Sequence, residues 1–207
     1  MNPQTSPDIL FPSAWGAQVP APLLAASATP RVRGAFLYDD GLLDAPGLAR
    51  VSAIVLHAHI DQRYLMSYRE PLGRWLLAGG TLVFNGHVAH PFLPWLQPFV
   101  PQTMPGVEAL RVHLGEPHAL LDGIDPEALT FRRGVAGFYG RGSNVPPPGA
   151  RVLSTIGPNR MPVDWVLALP GGGRLLVHSG NDLWTFDHAV AARLTRQMLD
   201  WIDSGVA

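Results

Sequence analysis

Apolar residues gather in short unbroken runs that alternate with stretches of helical spacing, and this pattern predicts an α/β protein. Gly34–Tyr38 (GAFLY) and Ala53–His57 (AIVLH) are continuous apolar runs, as expected of central parallel strands covered on two faces. Between residues 62 and 78, Leu65, Tyr68, Leu72, Trp75 and Leu76 recur at spacings of three and four, which predicts an amphipathic helix kinked or segmented at Pro71. Gly79-Gly80 ends that helix and Thr81–Phe84 forms the next strand, completing a β-α-β unit.

The rest of the chain is more punctuated. PFLPWLQPFVPQTMP (91–105) and then GEPHALLDGIDPEAL (115–129) read as loops and short helices, with turns at Asp122-Gly123 and Asp125-Pro126. FRRGVAGFYGRG and ARVLSTIG read as strands joined through SNVPPPG, and the runs Val163–Leu169 and Arg174–His178 flank PGGG as a β-hairpin. A closing helix carries Val190, Leu194, Met198, Trp201 and Ile202 on one face, with Asp187 as its expected N-cap. Residues 1–33, rich in Pro, Ser, Thr and Ala, are expected to be an irregular arm lying on a single domain spanning 34–207. The expected fold is flavodoxin-like: a doubly wound, mostly parallel sheet with helices on both faces and a late antiparallel hairpin.

In such sheets ligands bind at the C-terminal ends of the strands. That edge collects Asp39 and Asp40, then His57, His59 and Asp61, then Asn85, Gly86, His87 and His90, and last His178, Asn181 and Asp182. The two-residue period of a strand puts His57 and His59 on one face, so HAHID offers two imidazoles and a carboxylate to a divalent metal such as zinc or iron. The commoner role for histidines there is to donate to backbone carbonyls left unpaired where strands end. Asp39-Asp40-Gly41 has a similar alternative as a turn.

Composition narrows the chemistry. With 207 residues the chain has room for one sizeable core, and 47% hydrophobic against 15% charged residues allows much of it to be buried. A formal charge of −1 gives no electrostatic footprint for nucleic acid or anionic lipid. There is no Cys and no Lys, which excludes a thiolate nucleophile, a Cys-ligated zinc, a Schiff base and a P-loop lysine. Neither Ser154 nor Ser179 lies in a G-x-S-x-G elbow, and no G-x-G-x-x-G follows the first strand. No apolar run is long enough to span a bilayer and the N-terminus lacks a basic region followed by an apolar one, so a soluble, cytoplasmic protein is expected.

The order of AIVLHAHID, GGTLVF, GEPHALLDGI, GGGRLLVHSGND and LDWI resembles the class I glutamine amidotransferase-like superfamily, and within it the trehalose-utilisation (ThuA-like) branch. In the glutaminases of that superfamily the strand equivalent to residues 81–84 leads into G-x-C-x-G, whose thiolate attacks the glutamine amide. Here Phe84 falls in the nucleophile's place, or Asn85 with the register shifted by one, and the family's His-Pro-Glu falls near Gly180-Asn181-Asp182. The resemblance therefore implies the fold without the glutaminase reaction, with Asn85, His87, His178 and Asp182 as ligand contacts, no cofactor required, and a homodimer. Three functions follow from residues and resemblance together. The domain binds a small polar ligand or a partner protein at the strand edge; or it is a metal- or acid/base-dependent enzyme acting on a sugar or related metabolite; or it is an oligomeric interaction module that docks through the Pro-studded segment 91–105.

Overall fold

The computed structural model describes residues 8–27, 31–186 and 188–205. One sheet of eight strands organises them. In chain order these are β1 (Ile9–Ser13), β2 (Val32–Phe36), β3 (Ala53–Leu56), β4 (Thr81–Asn85), β5 (Val112–Leu114), β6 (Arg151–Ile156), β7 (Met161–Ala168) and β8 (Arg174–His178). Their spatial order is β2-β1-β3-β4-β8-β7-β6-β5. The first five of that order are parallel, which is the flavodoxin arrangement, and β7, β6 and β5 extend the sheet antiparallel. The hairpin expected across PGGG is the β7–β8 pair.

Alternation along each parallel strand divides the interior in two. Ile9, Phe11, Ala53, Val55, Val83 and Leu176 enter one core, and Leu10, Ile54, Leu56, Leu82, Phe84, Leu175 and Val177 enter the other. Each core is closed by helices. The first is capped by α1 (Ala21–Ala26), through Leu23, and by α5 (His188–Ser204), whose Leu194, Met198, Trp201 and Ile202 form the expected face. Asp187 itself lies outside the described residues. The second core is closed by α2 (Ala45–Leu48), α3 (Gln62–Met66) and α4 (Arg69–Leu77). The helix expected over 62–78 is broken at Ser67-Tyr68, which leaves Pro71 in the first turn of α4, where its missing N–H costs no hydrogen bond.

Gly73, inside α4, has no atom beyond its chain neighbours and its own helix backbone within 4 Å of where a Cβ would stand. Glycine costs a helix backbone entropy that alanine does not, so Gly73→Ala should stabilise the protein by about 0.5–1 kcal/mol, read as a higher urea midpoint. An unchanged or lower midpoint would mean that the site is tighter than it looks.

Two expectations need correction. GAFLY is not a central strand, because β2 ends at Phe36 and forms the edge of the sheet, with Val32 and Ala35 buried and Arg33 and Phe36 exposed. The arm is not irregular throughout: Ile9–Ser13 is the internal strand β1, between β2 and β3. Pro12 disguised it, since proline inside an apolar run argues against a central strand. The ladder shows how it is accommodated. Ile9 N–H donates to Arg31 O and Ser13 O accepts from Leu37 N–H, so odd-numbered residues face β2 and Leu10 and Pro12 face β3. Pairing with β3 covers only Ile9 and Leu10 and stops before the position where Pro12 would have to donate. Beyond it β1 and β3 part, at the C-terminal edge of the sheet.

No helix among the described residues is long and apolar enough to cross a membrane.

Candidate functional site

Chain order reverses between β1 and β3: β2 lies to one side of β1, and β3, β4 and β8 follow on the other. This is the switch point at which doubly wound sheets bind ligands, and a cavity of about 280 Å³ opens there. Phe11, Ser13 and Trp15 enter it from β1 and its exit, His57 and His59 from the exit of β3, and Asp182 from the loop after β8. A larger hollow of about 630 Å³ lies between β5 and α5, remote from the ends of the parallel strands.

The cavity is built from the backbone outward. Asp182 Oδ1 accepts from Ala58 N–H at 2.7 Å, which fixes the carboxyl beside the backbone that separates the two histidines. Burial raises the Asp182 pKa above the ordinary carboxylate value. His57 is buried, and its Nδ1 lies 3.1 Å from His59 N–H. A backbone N–H can only donate, so Nδ1 accepts, the ring is neutral, and its proton sits on Nε2. That Nε2 is buried and has no hydrogen-bond partner. The His57 ring packs between Phe11, at 5.8 Å between centroids, and Trp15, at 5.4 Å.

Burial first, and His59 second, push His57 down to about 4. A depressed imidazole pKa favours the neutral form in the folded state. The resulting stability is complete above the ordinary pKa near 6.5 and is lost as pH falls through about 4. Between about pH 7 and about pH 4 the wild type should therefore lose on the order of 3 kcal/mol more than His57→Gln, measured by urea denaturation across that range. Parallel curves for the two proteins would show that His57 is not buried as a neutral ring.

The remaining rim residues are distributed differently. Asp61 caps α3 by accepting from Tyr64 N–H at 3.0 Å, and its other oxygen accepts from Tyr38 OH at 2.9 Å. The Tyr64 N–H bond is the chief reason its pKa is lowered. Asp61 therefore does not join His57 and His59, and no group of three His, Asp or Glu among the described residues is placed to hold an ion. Asp39 and Asp40 are exposed in the turn after β2. Asn85 is fully buried, with Nδ2 donating to Leu56 O and Oδ1 accepting from Leu183 N–H. Asn181 is exposed and donates to Phe138 O. His87 stacks on Phe99, and His90 Nε2 accepts from Arg63 Nε.

The turn after β4 is filled from within the protein. Gly86 N–H donates to His178 O, Val88 N–H to Asn144 Oδ1, and Ala89 and His90 N–H to Gln62 Oε1, while Asn144 Nδ2 donates to Gly86 O. Phe84, in the nucleophile's place, is in the core against Phe92. His178 is fully buried, with Nδ1 2.7 Å from Asp164 Oδ1; Asp164 Oδ2 accepts from Tyr139 OH at 2.6 Å and from Ser154 Oγ. Sequence reasoning passed over Asp164, although a lone carboxylate inside the apolar run PVDWVLAL signals a buried, partnered charge. Gln62 and Asn144 gave no comparable signal.

No protein-family model matches this chain, and no curated protein does. Among the solved structures that share its architecture are these two. The mmIFT52 N-terminal domain matches with a TM-score of 0.61 at 11% identity over 96% of this chain and 98% of that one. A protein described as ThuA-like, from Bacteroides uniformis, matches with a TM-score of 0.53 at 11% identity over 98% of this chain and 94% of that one. The chain has a ThuA-like fold. Likeness at this identity carries the ThuA-like architecture and no chemistry, so function is argued from the site itself.

Proposed function

We propose that this chain is a glutamine amidotransferase-like domain, of the ThuA-like kind, that has no glutaminase activity and binds a small polar ligand in the cavity between the ends of β1 and β3. The observation that carries this reading is the unpartnered Nε2–H of His57, in a cavity at the switch point of the sheet whose wall also holds the half-buried carboxyl of Asp182. A buried donor without an acceptor is costly and uncommon, and a bound ligand supplies what it lacks. The absence of cysteine, with Phe84 and Asn85 both turned into the protein, removes the nucleophile of glutamine hydrolysis.

The test of the missing reaction is ammonia release. Purified protein should produce none from glutamine above the buffer rate, and stoichiometric turnover would defeat the reading. The homodimer implied by the resemblance is checked separately by sedimentation velocity, where the mass of a single chain would remove it.

A further inference from the structure

The cavity's charge and ring faces specify a class of ligand, on the reading that the cavity is a binding site. We propose that it takes an organic cation, an ammonium or alkylated ammonium group, against Trp15 and Asp182, with an adjacent ligand oxygen accepting from His57 Nε2–H.

Four observations support this. Among the described lining residues Asp182 is the one carboxylate and none is an arginine, so apart from the His57 and His59 imidazoles the wall's charge is that of a single carboxylate, in a chain that has no lysine. The neighbouring His57 ring accepts a hydrogen bond at Nδ1 and is therefore neutral, so it does not oppose a cation. Trp15 keeps 75% of its surface exposed although its centroid lies only 5.4 Å from His57 and 6.5 Å from His59, which leaves an indole face for a cation to stack on. Fourth, the Nε2–H of His57 is buried without an acceptor, and a hydroxyl or carbonyl oxygen close to the cationic nitrogen would provide one once the exposed Trp15 side chain shifts to admit it. An anion would meet the carboxylate and the negative faces of the rings together. An uncharged ligand would leave the half-buried Asp182 carboxylate without a counter-charge. The volume of about 280 Å³ fits a head group and not an extended molecule.

The test uses three probes of one shape: choline, its uncharged isostere 3,3-dimethylbutan-1-ol, and 3,3-dimethylbutyrate. Each is titrated into the full chain at a pH above the imidazole range, with thermal shift and tryptophan emission as readouts. The expected result is saturable stabilisation by choline, binding of the uncharged isostere at least five-fold weaker, and none by the carboxylate. Asp182→Asn should abolish the preference for choline. Trp15→Ala should weaken choline at least five-fold and remove the emission change, with circular dichroism confirming that both variants fold. Equal or tighter binding of the uncharged or anionic probe, lost in Asp182→Asn or His57→Gln, would overturn the cation and leave the cavity as a ligand site. No binding by any of the three would overturn the cation class, and the wider compound screen described below then decides the cavity separately.

Discussion

Asp164→Ala should cost the fold about 3–5 kcal/mol, the largest loss expected of any polar residue in the chain. The carboxylate is fully buried between β6, β7 and β8 and receives Tyr139 OH, Ser154 Oγ and His178 Nδ1. Removing it takes away the acceptor that Tyr139 OH, Ser154 Oγ and His178 Nδ1 share, and the pairing of the two neighbouring hydroxyls with each other offsets only part of that loss. Burial, the first cause of the Tyr139 hydroxyl's raised pKa, persists without Asp164, so Tyr139 does not relieve the site by ionising. The effect should appear as a Tm lower by roughly 6–20 °C for a chain of this size. His178→Ala should cost less, since Asp164 would keep both hydroxyl donors. A variant Asp164→Ala within about 1 kcal/mol of wild type would show that the network is not formed.

Gly86→Ala should also be severe, at about 2–6 kcal/mol, from backbone strain plus overpacking. Gly86 has φ +107°, a region that side chains rarely adopt, and an added Cβ would stand 2.7 Å from Ala58 Cα and 2.8 Å from Ala58 O. Neither neighbour is a flexible side-chain end that could swing aside. Ala58 separates His57 from His59 and its N–H holds Asp182, so relief of the clash would move the wall of the cavity. The expected outcome is therefore a lower urea midpoint together with weaker ligand binding. A variant of wild-type stability would mean that the turn can relax, and that Gly86 is not what brings β4 and the β3 exit together.

Much of this architecture was legible in the chain, because period-two and helical spacings report burial directly. The β3–β4 unit, the β7–β8 hairpin and the buried face of α5 all follow from spacing alone. What escaped was set by exceptions to those periods. Pro12 hid β1, because a strand without one donor is viable only where its neighbour has already parted, and that depends on β3. The short edge strand Val112–Leu114 is paired on one side only and has too few residues to show a period. The rim was legible as a set of polar residues at strand ends, but not as a site.

Parity explains part of that gap. His57, Asn85 and His178 lie two residues beyond Val55, Val83 and Leu176, and so share the sheet face covered by α1 and α5. Chain returning from β8 then decides which stay accessible. Leu183 closes over Asn85, while Gly180 and Tyr139 close over His178. Among the described residues the β1 end remains open, where Pro12 has already stopped the ladder. A cover formed by residues distant in sequence leaves no local pattern to read.

The central claim is that this opening is a ligand site, and a thermal-shift screen of small polar compounds tests it most directly. Wild type, His57→Gln and Asp182→Asn should be screened side by side. A true ligand present at a hundred times its Kd should stabilise the wild type by about 2.7 kcal/mol, raising Tm by roughly 5–10 °C in a saturable way, and both variants should lose most of that response. If no compound stabilises the wild type, or if every stabilising compound acts equally on both variants, the cavity between β1 and β3 is not the site.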